Sequence, residues 1–135
     1  MEAGRLRSKR FRSALALAES FGAAVFEPCW WPEDTRKVWY RLDGAMYWIG
    51  STRHDGRPIG VIGGAEKPDL HLRLPGNWSS VPELESVRGL VSTSDDHVRA
   101  ILHQEQQTIQ LIGYASEGEL VEASQSFRRV PPESH

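Results

Sequence analysis

Two Asp-Gly dipeptides, at 43–44 and 55–56, constrain the fold of this 135-residue chain more than any other feature. Each lies between runs that are rich in β-branched and aromatic residues. Asp-Gly in such a context is typical of a β-hairpin turn, because both residues tolerate a positive φ. The two dipeptides predict a three-stranded antiparallel meander over 36–42, 45–53 and 58–63.

The first turn also predicts a register for the aromatic residues. A two-residue turn at Asp43-Gly44 would set the opposing pairs Leu42–Ala45, Tyr40–Tyr47, Trp39–Trp48 and Val38–Ile49. Two-residue geometry at the second turn would place Trp48 opposite Gly63 and Thr52 opposite Ile59. A glycine opposite an indole lets the ring lie over bare backbone.

Both faces of the predicted meander are apolar. One carries Val38, Tyr40, Leu42, Ala45, Tyr47 and Ile49, and the other carries Trp39, Met46, Trp48, Ile59 and Val61 with Lys37 and Arg41. A sheet face that no helix covers would expose a large aromatic patch, and such patches mark partner or ligand sites. The Trp39/Trp48 face is the better candidate because Lys37 and Arg41 are cations beside its indoles. The alternative is that both indoles are core residues beneath a helix.

Helical periodicity appears near each end of the chain. Apolar residues from Phe11 to Phe21 recur at helical spacing before Gly22, which predicts a helix over about 8–21. Ser116 and Glu119 form a capping-box pattern that predicts a second helix over about 117–129. Between them, "AAVFEP" and 70–74 are predicted as short strands.

The segment 95–107 fits either a helix capped by Ser94 or a hairpin with its turn in 104–107. The β-branched run that follows favours the hairpin, near 98–114. The predicted fold is therefore α+β, with an antiparallel sheet of about five to seven strands packed with the two helices. We expect one domain over 13–130, a basic arm over 1–12 and a frayed tail over 131–135.

Charge is distributed unevenly along the chain. The formal net charge is −2, but the first twelve residues carry +4, from five basic residues and Glu2, so the remainder carries −6. The five are Arg5, Arg7, Lys9, Arg10 and Arg12. They are candidates for binding phosphate groups, either of a nucleic acid or of an anionic membrane. A solvated arm is the favoured interpretation, because no basic stripe continues into the acidic body.

Composition indicates a soluble globular protein of a reducing compartment. The single Cys29 excludes an intramolecular disulfide. No apolar run reaches the length of a membrane span, and the run after the basic arm is too short for a secretory signal. We therefore expect a cytoplasmic location.

No catalytic residue, metal ligand set or cofactor motif is predicted. HExxH, CxxC and GxSxG are absent from the sequence. Arg53, His54 and Arg57 cluster at the second turn and are candidates for binding an anion. A solvated turn is favoured over a His54–Asp55 catalytic pair, because no nucleophile is fixed nearby.

The order of elements resembles a known family. The segments "FEPCWWPED", "VRGLV" and "TIQLIGYASEGELVEASQSF" resemble an uncharacterised bacterial domain family found in the extracytoplasmic part of some anti-sigma factors and lipoproteins. The family has no assigned catalytic residues. The resemblance implies an α+β domain that senses or binds rather than converts a substrate.

These observations favour a non-catalytic binding or regulatory domain. It would use the Trp39/Trp48 face for a protein or an apolar ligand, with a separate protein or a second copy of the chain as partner. One alternative is a small enzyme with a site near Arg53, His54 and Arg57. The other is a nucleic-acid-associated protein that binds through its basic arm.

Overall fold

The computed structural model describes residues 8–64, 78–80, 82–83, 90–94, 97–105 and 107–133. Within them lie ten strands and two helices. In chain order these are β1 (Ser8–Phe11), α1 (Ala14–Phe21), β2 (Val25–Pro28), β3 (Trp39–Asp43), β4 (Met46–Thr52), β5 (Pro58–Gly64), β6 (Trp78–Ser80), β7 (Leu90–Ser94), β8 (His97–Gln104), β9 (Gln107–Tyr114), α2 (Glu117–Gln125) and β10 (Phe127–Val130). The strand predicted at 70–74 lies outside the described residues.

The strands form one large antiparallel sheet and one small ribbon. The sheet has eight strands in the order β1-β3-β4-β5-β9-β8-β7-β6, and β2 pairs with β10 in the two-stranded ribbon. The predicted α+β class, with an antiparallel sheet and a helix near each end of the chain, is confirmed. The predicted hairpin near 98–114 is also confirmed, since β8 and β9 pair up to a turn that follows Gln104.

The first helix is shorter than the predicted 8–21. It begins at Ala14, where the Ser13 side chain accepts a hydrogen bond from the Ala16 N–H, and it ends at Gly22 in the left-handed conformation. Residues 8–11 instead pair with β3 as an edge strand. Positive charge opposes the macrodipole at a helix N-terminus, so the basic residues disfavour the helix there. Part of the predicted basic arm thus belongs to the sheet.

The second helix is also shorter than the predicted 117–129. Its N-terminal cap is as predicted, with Ser116 accepting from the Glu119 N–H. The helix ends at Gln125, and the two arginines at 128 and 129 lie in β10 instead of the last helical turn. Ser126 fixes this end, because its hydroxyl oxygen accepts from the N–H groups of Cys29 and Trp30, each at 3.0 Å.

The first hairpin turns one residue later than predicted. Its two central residues are Gly44 and Ala45, and Asp43 pairs with Met46. Only Gly44 has a positive φ, 64°, which matches a type II′ turn with glycine first. The predicted cross-strand pairs were therefore wrong, and the observed ones are Leu42–Tyr47, Arg41–Trp48, Tyr40–Ile49 and Trp39–Gly50.

The second hairpin has a three-residue loop, His54 to Gly56, in place of the predicted two. Arg53 and Arg57 close it through an N–H to carbonyl hydrogen bond of 2.8 Å. Thr52 consequently pairs with Pro58, and Trp48 lies opposite Ile62. The pairs predicted for Trp48 with Gly63 and for Thr52 with Ile59 were wrong, because the loop contains three residues instead of two. Its last residue, Gly56, is the one that has a positive φ.

The corrected register moves two residues to the other face. Ile59 and Val61, predicted beside the indoles, lie on the Tyr47 face and are fully buried. The Trp48 ring lies over Gly50 and Gly60, so the indole shields strand glycines as expected but not the predicted one. The Tyr47 ring covers Gly63.

We call the side of the sheet that carries Tyr47 the inner face. Its core contains residues of the sheet, of both helices and of the ribbon. Among them are Leu17, Ala18, Val25, Phe26, Tyr47, Ile49, Ile59, Val61, Leu102, Ile109, Leu111, Leu120 and Ala123. Both helices and the ribbon therefore pack on the same face of the sheet, and within the described part of the chain no helix or ribbon strand covers strands β3 to β5 on the other.

Candidate functional site

The side of strands β3 to β5 opposite the core, which we call the outer face, carries the tryptophans of the first hairpin. Trp39 is 46% exposed and Met46 is 38% exposed, while Trp48 and Ile62 are half-buried. None of these four belongs to the buried core cluster. The interpretation that Trp39 and Trp48 are core beneath a helix was wrong, because both helices lie against Tyr47 and its neighbours.

A shallow groove of about 530 Å³ runs across this face. Its described lining combines indoles and aliphatic residues with two arginines and includes no carboxylate: Arg10, Trp39, Arg41, Trp48, Gly50, Ser51, Thr52, Pro58, Ile62 and Ile112. The sheet register explains the composition, since Arg10, Arg41, Trp48 and Ile62 stand in one cross-strand row.

Cations contact the most exposed indole. The Lys37 ammonium lies 4.8 Å from the centroid of the Trp39 ring, and the Arg10 guanidinium lies 5.7 Å from it. Both distances are within cation–π range. Arg41 is partly neutralised by Asp43, at 2.8 Å. The groove is therefore apolar at its base and positively charged at the end near β1.

A second concavity, which we call the turn cavity, lies where the second hairpin meets the end of β9. It has a volume of about 370 Å³, and Pro58 and Ile112 line both it and the groove. Its polar wall is made by Asp34, Arg53, His54, Asp55, Arg57 and Arg99. Gly113, Tyr114 and Ala115 complete the lining.

Arg53 joins three parts of the chain at this cavity. Its guanidinium donates to Asp34, in the β2–β3 connection, with 2.9 Å from Nη2 to Oδ1. It also donates to both carboxylate oxygens of Glu119, in the first turn of α2, at 3.0 and 3.2 Å. Glu119 accepts the Ala115 N–H at 2.7 Å as well, so one carboxylate both caps the helix and holds Arg53.

These contacts shift the pKa of each partner. Hydrogen bonds from Arg53 and then His54 hold the pKa of Asp34 far below its usual range. Burial acts to raise the pKa of Glu119, but the hydrogen bonds from Arg53 and the Ala115 N–H outweigh it and lower that pKa. The same pairs raise the pKa of Arg53. The group is therefore a fixed ion cluster at neutral pH.

The remaining cations of the cavity differ in how far they are engaged. Arg57 is exposed and donates from Nε to Asp55 at 2.8 Å. Within the described residues, half-buried Arg99 has no hydrogen-bond or ion-pair partner. Tyr114 is 1% exposed, and its hydroxyl has no hydrogen-bond partner there either.

The structure brings each predicted set of residues together. Lys37, Trp39, Arg41, Met46 and Trp48 share the outer face, and Arg53, His54 and Arg57 line one cavity. Sequence reasoning missed Arg10 as a member of the groove, and it missed Arg99 and Tyr114 as members of the turn cavity. The stretch "SKRF" shows no apolar alternation that could have indicated Arg10, and no local signal connects Arg99 with a turn more than 40 residues earlier.

Among the described residues, no group of three or more His, Cys, Asp or Glu side chains is placed to hold a metal ion. No helix in this part of the chain is long and apolar enough to cross a membrane. Comparison with protein-family models, curated proteins and solved structures found no match for this chain.

Proposed function

We propose that this protein is a non-catalytic binding domain whose outer face binds a segment of a partner protein. The observation that carries the proposal is the placement of Trp39 and Met46. These large apolar side chains stand exposed on the sheet, while the helices and the ribbon cover the opposite face. Exposed aromatic patches of this kind are typical of interaction sites.

The charge of the groove defines the chemistry of the partner. Arg10 and Arg41 line it, no carboxylate is among its described lining residues, and Lys37 lies against Trp39 at its margin. A segment that places acidic residues beside aromatic or aliphatic ones would complement both features. The indoles would supply buried contact area, and the cations would set orientation and on-rate.

The close packing of Trp48 on the sheet supports the same proposal. Trp48 lies over Gly50 and Gly60, where the absence of a Cβ lets the ring approach the backbone. The indole therefore needs little ordering when a ligand binds, and preorganisation reduces the entropic cost of association. We also propose that the chain is related to the domain family found in the extracytoplasmic part of some bacterial anti-sigma factors and lipoproteins. The members of that family would use the domain for sensing or binding.

Binding of synthetic peptides tests the proposal. The probe is a fluorescein-labelled 12-residue peptide of alternating Glu and Phe or Leu, compared with a peptide in which Lys replaces every Glu. We expect the acidic peptide to bind and its affinity to fall with added salt. Trp39→Ala and Arg10→Glu should each weaken it by at least tenfold, measured by fluorescence anisotropy.

The control is Leu15→Ala, which removes an equally exposed apolar side chain from α1 and should leave binding unchanged. Equal binding of the lysine peptide, or no effect of Trp39→Ala, would contradict the proposal. A single-stranded oligothymidine that binds in place of the peptide would assign the face to nucleic acid. Self-association abolished by Trp39→Ala would assign it to a second copy of the chain.

A further inference from the structure

We infer that the turn cavity is a separate binding site for a small organic acid with one carboxylate and a flat apolar body. The inference does not depend on the function of the outer face. The turn cavity has a volume of about 370 Å³, which lies at the small end of the range of ligand pockets. It combines apolar surface from Pro58 and Ile112 with a row of arginines, which is the composition of a site for an amphipathic anion.

The floor of the cavity is fixed before any ligand arrives. Arg53 is held from two sides, by Asp34 and by Glu119, and it is largely buried. Its donors are committed to those carboxylates and to the Gly113 carbonyl at 3.4 Å. Arg53 therefore forms part of the cavity floor, and the carboxylate of a ligand must bind to another residue.

Arg99 supplies that partner. It lines the cavity, and it is the arginine there that contacts no carboxylate within the described part of the chain, whereas Arg57 donates to Asp55. A half-buried guanidinium without a partner favours binding of a carboxylate, to which it can donate two parallel hydrogen bonds. Tyr114 lines the same cavity, but its hydroxyl is buried and is not accessible to a ligand there, so Arg99 is the donor that the inference requires.

The charges of the wall select a monoanion. Asp34 and Asp55 line the cavity as well, and both have a pKa lowered by their arginine partners, so they are ionised at neutral pH. Each negative charge on a ligand is repelled by these carboxylates, and among the described arginines of the cavity Arg99 is the one that is not already paired with a carboxylate, so a second negative charge adds repulsion without adding a partner. A neutral ligand would leave Arg99 without a partner.

Three probes that share a phenyl ring test this inference on the intact protein: benzoate, its neutral isostere benzamide, and dianionic phenyl phosphate. In an NMR titration we expect benzoate to shift the backbone amides of Gly113 and Ala115, and benzamide to leave them unchanged. Arg99→Gln should weaken benzoate binding by at least tenfold. Trp39→Ala should leave it unchanged, which separates this site from the outer face.

Equal shifts with benzamide would overturn the inference, and this comparison requires no variant to fold. Full affinity for benzoate in a folded Arg99→Gln variant would overturn it as well. Tighter binding of phenyl phosphate than of benzoate would overturn the assignment to a monoanion.

Discussion

At the scale of single residues, Arg53 links three segments that are distant in sequence. It joins the β2–β3 connection, the end of β4 and the start of α2 through two carboxylates. Neither the local sequence around Arg53 nor its place beside a turn indicates those partners, because they lie 19 and 66 residues away. Sequence reasoning selected this arginine as a candidate for binding an anion, and in the structure it is paired with these two carboxylates.

Replacing Arg53 with methionine should destabilise the protein in a pH-dependent way. We expect a loss of about 1–2 kcal/mol of unfolding free energy at pH 7, less than the ~3–5 kcal/mol of a fully buried pair because solvent reaches the cluster. The pKa values of Asp34 and Glu119 lie below their ordinary values in the folded protein. Their ion pairs with Arg53 therefore stabilise the fold above about pH 4, and this stabilisation is lost as the pH falls through the folded pKa values.

Urea denaturation at several pH values measures this effect. The difference between the wild type and Arg53→Met should shrink as the pH is lowered from about 4 to about 2. Arg57→Met is the control, since Arg57 is exposed and pairs only across its own turn. A difference that stays constant over this pH range would show that the arginine acts by packing and not through the two carboxyls.

At the scale of elements, the Tyr47 hydroxyl connects the ribbon to the sheet. It accepts the Phe26 N–H of β2 at 3.1 Å and donates to Gln107 Oε1 at the start of β9, at 2.8 Å. Burial raises the pKa of this phenol well above its usual value. One side chain of β4 therefore determines where β2 lies against the inner face.

Tyr47→Phe should cost about 1–3 kcal/mol of unfolding free energy, because it leaves a buried N–H and a buried amide oxygen without their partner. Tyr114→Phe is a matched control. Tyr114 is equally buried, but its hydroxyl has no partner among the described residues, so its removal should be close to neutral. Thermal unfolding followed by circular dichroism compares the two. Equal losses would contradict the role given to the Tyr47 hydroxyl.

At the scale of the whole molecule, sequence patterns predicted the fold class and much of the outer face. Hydrophobic alternation and turn residues were sufficient for the meander and for the 97–114 hairpin. They missed the register because Asp-Gly and Gly-Ala turns differ by one position, and only cross-strand packing distinguishes them. They missed β10 because its pairing partner lies about 100 residues earlier, and periodicity carries no information about such a contact.

The ribbon should therefore contribute to the stability of the entire domain. Phe127 and Val130 are partly buried against the core, so each should contribute roughly half of what a fully buried side chain contributes. Deleting residues 127–135 should therefore lower the free energy of unfolding by about 2–3 kcal/mol. Deleting only 131–135 is the control and should have little effect, because Val130 and the rest of β10 remain. Chemical denaturation of both truncated proteins measures the difference. Equal stability would show that the ribbon is peripheral.

Pairing between β2 and β10 also has a consequence for how the chain folds during its synthesis. Val25–Pro28 leaves the ribosome long before Phe127–Val130 exists, so β2 must wait for a strand about 100 residues further along. At a translation rate of roughly 5–20 residues per second, the delay is at least about 5 seconds. The N-terminal half exposes an incomplete apolar face throughout that interval. A chaperone that shields nascent chains is therefore expected to bind this protein before either of its proposed binding sites has formed.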